Sequence, residues 1–176
     1  MKRILIIVLL ACAVSMSAQD NSEISSYRNK GYSGSVSFTD QALILLGLDT
    51  SHGYMFDEHH FLGGGIGFYA APIKGNPIGY HVHAEYKYYW FKRNSTPTAS
   101  VKLGYGGAIL TDKDYHSDAF MPYGNYKLEP NIGWDWGLKN GNGFSLSLGA
   151  DILINEILTK DMYAIVLPKI SLGIMF

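Results

Sequence analysis

The sequence predicts an all-β fold in which about eight antiparallel strands form an up-and-down barrel. The clearest evidence is a side-chain period of two in the last two apolar stretches, Gly143–Asn155 and Tyr163–Phe176. In both stretches the apolar and polar residues fall on opposite faces, as in a strand whose two sides meet different surroundings. The 176 residues include 20 glycines and are 14% aromatic and 16% charged, which also favours strands over helices.

Residues 1–18 are predicted to be a secretory signal peptide rather than part of the fold. Two basic residues precede a short apolar run, Ile4–Leu10, and small residues follow it. The run is too short for a membrane-spanning helix. Cleavage is expected after Ala18 or, with Ser15 at position −3, after Ser17.

Cys12, the only cysteine, lies within this segment. The sequence Leu9–Cys12 resembles a bacterial lipobox, in which the cysteine would be lipidated and become the mature N-terminus. Small and apolar residues rather than a polar tether continue to Ala18, so we favour cleavage there, which leaves the mature chain without a thiol. Residues 19–29 are expected to form a flexible leader and residues 30–176 the barrel. The formal net charge of −1 gives no indication of nucleic-acid binding.

Eight strands are predicted from the alternation and from the turn-forming residues between them. They are Lys30–Thr39, Ala42–Tyr54, His60–Ala70, Gly79–Arg93, Thr98–Leu110, Tyr126–Lys139, Gly143–Asn155 and Tyr163–Phe176. Tight turns are expected at Thr39–Gln41, Phe56–His59, Asn94–Pro97 and Asn140–Asn142. The second strand is ambiguous because Ala42–Leu48 is almost continuously apolar, although Gly47 and the hairpin context favour a strand.

Glycines indicate which face lies inside the barrel. The polar face carries Gly104, Gly106, Gly133, Gly137, Gly149 and Gly173. On a solvent-exposed surface these glycines would weaken the strands without any gain, whereas the narrow interior of an eight-stranded barrel needs small residues between larger ones. The apolar face is therefore predicted to point outward, toward lipid.

Connection lengths predict the orientation. With both termini in the periplasm, short connections lie on that side and long ones outside. The connections after the second, fourth and sixth strands are short, and only the first outer loop departs from the rule. This orientation predicts an aromatic girdle near the periplasmic ends of the strands. Its members are Tyr54, Trp90, Trp136, Phe144 and Phe176.

The signal segment, the alternating strands and the terminal Phe176 together resemble the small bacterial outer-membrane β-barrel proteins of the OmpA and OmpX kind. Thr50–Tyr54 with Phe61–Gly67 is similar to such barrels from Bacteroides-type bacteria. The resemblance implies the outer membrane of a Gram-negative bacterium, with lipid and lipopolysaccharide as partners. It also implies that the barrel-assembly machinery reads the C-terminal strand. The activity stays open, because the family includes adhesins, enzymes and proteins without known activity.

Titratable residues on the inward face form the candidate site. The lumen polar cluster is His81, His83, Glu85, Lys87, Lys102, Glu129 and Asp135, and Lys127, Lys139, Asp151 and Lys169 share the same face. Five basic and four acidic residues are nearly balanced, which favours a salt-bridged interior over a selective pore.

His81, His83 and Glu85 lie in one line on one strand, between glycines of the neighbouring strands. Two histidines and a carboxylate can bind a divalent metal, but one strand supplies only part of a coordination sphere. The glycines are instead expected to make room for imidazoles that hydrogen-bond to Glu85, Lys87 and Lys102. No metal or cofactor is assigned.

No catalytic residue is assigned either. The adjacent pair Ser51–His52 lies toward the periplasmic end, and Asp114–Asp118 is a loop without a defined triad. The expected role is therefore structural, or surface interaction through outer-loop residues such as Tyr115 and Phe120. A lipid A-modifying enzyme and a soluble ligand-binding barrel, which requires the opposite facing, are the alternatives.

Overall fold

The computed structural model describes residues 28, 30–43, 45–70, 78–110, 125–138, 141–155 and 163–176. The strands are β1 (Gly31–Gln41), β2 (Leu45–Met55), β3 (His60–Ala70), β4 (Ile78–Tyr89), β5 (Ser95–Leu110), β6 (Asn125–Gly137), β7 (Gly143–Asn155) and β8 (Tyr163–Met175). Each strand pairs antiparallel with the next, and β1 pairs with β8, which closes the sheet. The predicted all-β, up-and-down barrel of eight strands is confirmed. In the described ranges no helix is long and apolar enough to cross a membrane.

The barrel is polar inside and apolar outside. Inside, Glu129 and Asp135 are each 1% exposed, whereas Leu103, Ile132 and Val166 on the outer surface are 60% exposed or more. Soluble proteins have the opposite distribution, with charged residues almost never fully buried. The prediction that the apolar face points outward is therefore correct.

The register tilts the strands strongly against the barrel axis. When pairing is followed from Ser37 to Asp49 and on around the sheet, it returns to β1 about ten residues from its start. Eight strands with this stagger are inclined by roughly 40°. At about 3.3 Å per residue, strands of this length and tilt span roughly 30 Å, the thickness of a bilayer's hydrocarbon core.

Two predicted turns are wrong. The chain turns at Ala42 and Leu43, with φ angles of 54° and 60°, because β1 continues through Thr39–Gln41. Likewise Ser95–Pro97 begins β5 instead of forming a turn. Thr39, Gln41 and Thr96 are all buried, so their polarity reflects a place in the lumen rather than in a turn.

β2, β4 and β6 finish at the same end of the barrel as the start of β1 and the end of β8, and the short connections 56–59 and 90–94 lie there. β1, β3, β5 and β7 finish at the other end. Lys139 and the loop candidates Asp114–Asp118, Tyr115 and Phe120 fall outside the described residues. We call the first end the terminal end and the second the loop end.

The terminal end of the lumen has an apolar floor, formed by Met55, Phe61 and Tyr89. Arg28 closes this floor from below: its guanidinium lies 4.5 Å from the centre of the Tyr89 ring and donates to the Phe91 carbonyl at 2.8 Å. Arg28 belongs to the stretch predicted to be a flexible leader, and its side chain is buried. The barrel wall and this floor define the space in which the lumen residues meet.

The predicted girdle residues all lie near the terminal end. Tyr54, Trp90 and Phe176 are between 44% and 49% exposed, and Trp136 pairs with Phe144 in the register of β6 and β7. Trp90 lies in the connection after β4, since that strand ends at Tyr89.

Candidate functional site

The lumen site is organised across a strip of three glycines on β3. In the register, Gly63, Gly65 and Gly67 stand between Gly53, Ser51 and Asp49 of β2 and Glu85, His83 and His81 of β4. Because glycine has no side chain, residues of β2 and β4 can meet above β3. A Cβ at Gly65 would collide with the Thr50 carbonyl oxygen, and one at Gly67 with the His81 ring.

Both imidazoles of β4 reach across this strip to β2. His81 Nε2 lies 2.9 Å from Asp49 Oδ2. His83 Nε2 lies 3.0 Å from Ser51 Oγ and 3.7 Å from Asp49 Oδ1. The sequence-based expectation named Glu85, Lys87 and Lys102 as partners of the histidines, whereas the hydrogen bonds found go to two β2 residues that the sequence reasoning missed.

Lys102 on β5 completes this group. Its Nζ donates to Asp49 Oδ1 at 2.6 Å and lies 3.9 Å from Glu85 Oε2. We call Asp49, Ser51, His81, His83 and Lys102 the Asp49 cluster; every member is less than 10% exposed.

The contacts of the two rings are one-sided. In the described part of the chain, the Nδ1 atoms of His81 and His83 are buried without a hydrogen-bond partner. The polar contacts of both imidazoles are therefore made through Nε2. The ring centres lie 5.3 Å apart, and Tyr69 stacks on His81 from the loop end, at 6.0 Å.

A second network joins β6, β7 and β8. Glu129 accepts from Lys169 at 2.6 Å through Oε1, and its Oε2 lies 2.9 Å from Lys127 Nζ. Lys127 also pairs with Asp151 at 3.0 Å, and the Asn131 amide donates to Glu129 at 3.2 Å. Each of these five side chains is less than 10% exposed. The charged groups therefore have one another as partners in the lumen, in place of solvent.

A third ion pair lies nearer the terminal end. Lys87 Nζ is 3.5 Å from Asp135 Oδ2, and Asp135 is 1% exposed. A polar cavity of about 30 Å³ lies between these groups, lined by Glu85, Lys102 and Glu129 among others. At roughly 10–15 Å³ per water molecule, this volume holds about two waters.

The geometry does not form a catalytic serine triad. Ser51 and Asp49 both approach the Nε2 atom of His83, whereas a triad needs the serine and the carboxylate on opposite ring nitrogens. The neighbouring His52 is exposed on the outer surface, where its Nδ1 lies 2.6 Å from the Tyr32 hydroxyl. Ser51 and His52 thus stand on opposite sides of the barrel wall.

Two connections at the terminal end are joined by polar contacts. Asp57 accepts the backbone N–H groups of His59 at 2.7 Å and His60 at 2.8 Å, and the bond from His59 holds the pKa of the Asp57 carboxyl below its usual value. Glu58 lies 2.6 Å from Lys92, whose pKa this hydrogen bond raises. The Asp57 bonds order the connection 56–59 itself, and the exposed Glu58–Lys92 pair reaches from there to the connection 90–94.

Comparison with protein-family models gives no match, and neither does comparison with curated proteins. Solved structures do match. Neisserial surface protein A (NspA) aligns with a TM-score of 0.54 and 12% identity, over 83% of this chain and 94% of that one. The chain has the fold of the small outer-membrane β-barrels.

Two further structures agree with this fold. The N-terminal β-barrel domain of Pseudomonas aeruginosa OprF aligns with a TM-score of 0.51 and 11% identity, over 84% of this chain and 98% of that one. The outer membrane enzyme PagL aligns with a TM-score of 0.50 and 13% identity, over 81% and 97%. At these identities the likeness extends to the fold and not to an activity.

Proposed function

We propose that the protein is an integral outer-membrane barrel of a Gram-negative bacterium, with a closed lumen and a role in envelope structure or surface interaction. The observation that carries the proposal is the inverted polarity of the closed barrel. Side chains such as Leu103 and Ile132 are exposed around its outside, while charged residues are buried within. This arrangement is unfavourable in water and favourable in a bilayer, where a closed sheet satisfies every backbone hydrogen bond.

The same polarity argues against the soluble ligand-binding barrel, which needs an apolar interior. Fractionation of the envelope tests the location: the full chain is expected in the outer membrane, migrating faster on a gel when unheated than when boiled. Recovery of the folded protein in the soluble periplasm, without detergent, would overturn the proposal.

The proposed closed lumen rests on the buried ion pairs. Lys102, Lys127 and Lys169 each pair with carboxylates inside the wall, and the cavity between the networks holds about two waters. A hydrated ion is too large for such a space. Purified protein in a planar bilayer is therefore expected to give no stable conductance steps, and a reproducible ohmic channel would refute the closed lumen.

The C-terminal strand supports a further part of the proposal, recognition by the barrel-assembly machinery. Phe176 exchanges backbone hydrogen bonds with Gly34, at 2.7 and 2.9 Å, where β8 closes against β1. The Phe176 ring also occupies the space that a side chain at position 34 would need. Phe176 therefore takes part in the closure between β8 and β1.

Deletion of Phe176 is expected to lower the amount of protein in the outer membrane while leaving its synthesis unchanged. Phe144→Ala is the matched control, since it removes a girdle ring at the same end without touching the β1–β8 closure. Equal membrane levels of the deletion and the control would contradict this role of the terminal residue.

A lipid A-modifying enzyme is not favoured by any arrangement among the described residues. The interaction role is instead proposed for the loop end, through the connections 71–77, 111–124 and 156–162 and their contact with lipopolysaccharide or an extracellular partner.

A further inference from the structure

We propose that Asp49, His81 and His83 bind one divalent transition-metal ion inside the barrel. One strand alone supplies two histidines and no suitably placed carboxylate. The glycine strip on β3 brings Asp49 from β2 to the same point. Each of the three residues offers one ligand atom, a carboxylate oxygen or an imidazole nitrogen, and these atoms lie within 4.8 Å of one another.

The spacing of these atoms suits a small four-coordinate ion. Ligands at the distances that zinc prefers lie roughly 3.3 Å apart around a tetrahedron. His81 Nε2 lies 2.9 Å from Asp49 Oδ2, close to this spacing, and His83 Nε2 lies 3.7 Å from the other oxygen of the same carboxylate, Oδ1. Ser51 Oγ, 3.0 Å from His83 Nε2, marks a fourth position that the hydroxyl or a water fills.

The charge of the cluster also favours a cation. Lys102 pairs with Asp49 at 2.6 Å and with Glu85 at 3.9 Å, so both carboxylates contact the same ammonium group. A cation at the point where Asp49 and the two imidazoles converge adds a second positive partner for this pair of buried carboxylates.

Lys102 binds one oxygen of the Asp49 carboxylate and leaves the other for the metal ion. It donates to Asp49 Oδ1, whereas the 2.9 Å contact of His81 is to Oδ2. Lys102 thus fixes the orientation of the carboxylate from outside the ligand set, as a hydrogen-bond donor commonly does in metal sites. Metal binding replaces the contact between His81 and Asp49 by two bonds to the same ion and leaves the Lys102 contact in place.

The donor set indicates the kind of metal. Two imidazoles and one carboxylate suit zinc, cobalt, nickel or iron(II), whereas calcium and magnesium prefer oxygen ligands alone. Zinc and cobalt(II) are therefore the probes, with magnesium as the negative comparison. Because the site is enclosed, the metal is supplied while the full chain refolds into detergent.

The test measures metal content and the cobalt spectrum of the refolded protein. About one equivalent of zinc is expected to remain after gel filtration, and cobalt(II) is expected to give the visible absorption of a four-coordinate site with nitrogen and oxygen ligands. His83→Gln and Asp49→Asn should weaken binding at least about tenfold. His52→Gln is the matched control, because this imidazole lies on the outer surface and should change nothing.

Two outcomes overturn the proposal. One is wild-type protein that retains no zinc or cobalt although it migrates as a folded barrel on an unheated gel. The other is equal metal binding by wild type and His83→Gln. If a variant fails to fold, X-ray absorption of the zinc-loaded wild type still decides: two imidazoles in the first coordination shell are expected, and a shell without imidazole refutes the site.

Discussion

Replacing Glu129 by glutamine removes the counter-ion of Lys169 from the interior of the barrel. The two groups lie 2.6 Å apart, and their side chains are 2% and 1% exposed. Loss of one partner of a buried ion pair leaves an uncompensated charge and costs about 3–5 kcal/mol. Lys127 keeps Asp151 at 3.0 Å, so the larger part of this cost falls on Lys169. The expected loss in the free energy of unfolding for Glu129→Gln is therefore about 3–5 kcal/mol.

A double variant separates the ion pair from the packing of the glutamate. In Glu129→Gln with Lys169→Met, the stranded ammonium is absent. The double variant should therefore lose about 2 kcal/mol less than the sum of the two single losses, a coupling within the range for contacting residues.

A second ion pair in the same chain is a matched control. Lys92 and Glu58 also lie 2.6 Å apart, but their side chains are 63% and 37% exposed. Water screens such a pair and satisfies each partner when the other is removed. Lys92→Met should therefore leave the unfolding midpoint unchanged, although the distance is the same.

The assay is equilibrium unfolding by urea in lipid vesicles, followed by the fluorescence of the three tryptophans. Wild type, the variants and the control are measured at pH 7 in the same lipid. A Glu129→Gln protein no less stable than Lys92→Met, or strictly additive single effects, would show that the buried network does not stabilise the barrel.

Three further outcomes are expected. Leu103→Lys, at mid-strand on the outer surface, should cost about 2–4 kcal/mol in vesicles; no loss there would argue against a lipid-facing position. Gly65→Ala places a Cβ against the Thr50 carbonyl and should abolish heat-modifiable migration, and a folded variant of wild-type stability would contradict the crowding at the glycine strip. Asp57→Ala should lower the unfolding midpoint at pH 7. Because the pKa of Asp57 in the folded protein lies below its ordinary value of 3.8, its carboxylate stabilises the fold above pH 3.8, and this stabilisation is lost as the pH falls through the folded-state pKa. The unfolding midpoints of wild type and variant should therefore converge in acid. A difference that stays constant with pH would refute this.

The strands could be predicted from the sequence because a barrel wall has two unlike sides. The strands from His60 to Phe176 place most apolar residues on one side and small or polar residues on the other, with exceptions such as Phe61 and Tyr89 of the floor, and the predicted β3 and β7 have the observed bounds. The lumen residues on β4 could be predicted for the same reason, since alternate side chains of one strand point to the same side of the sheet.

The missing part of the site lies on β2. Asp49 and Ser51 share the inward side with Gly47, but the apolar run Ala42–Leu48 masks this alternation. Their contact with β4 also depends on the register of three strands. The alternation of inward and outward residues in β2 becomes visible only when every second residue is taken in both directions from Asp49.

The turn errors have a physical cause too. Polar stretches such as Thr39–Gln41 mark turns in soluble proteins, where polar residues avoid the interior. In this barrel the interior is polar, so a polar cluster at a strand end is also compatible with the lumen. Ala42 and Leu43 adopt positive φ angles although neither is glycine, so the sequence does not indicate a turn at these residues.

The glycine strip makes the assembly of the barrel sensitive to errors in strand alignment. The contact between Asp49 and His81 crosses β3 at Gly67, where no side chain intervenes. A slip of β3 by one residue exchanges its two faces and puts Ile66 or Phe68 in that position. The bulky side chain then separates the Asp49 carboxylate from the His81 imidazole. Both groups stay buried and lose their hydrogen bond to each other. A misaligned β3 therefore also breaks the contacts between β2 and β4. The polar interior in this way destabilises barrels whose strands are paired in the wrong register.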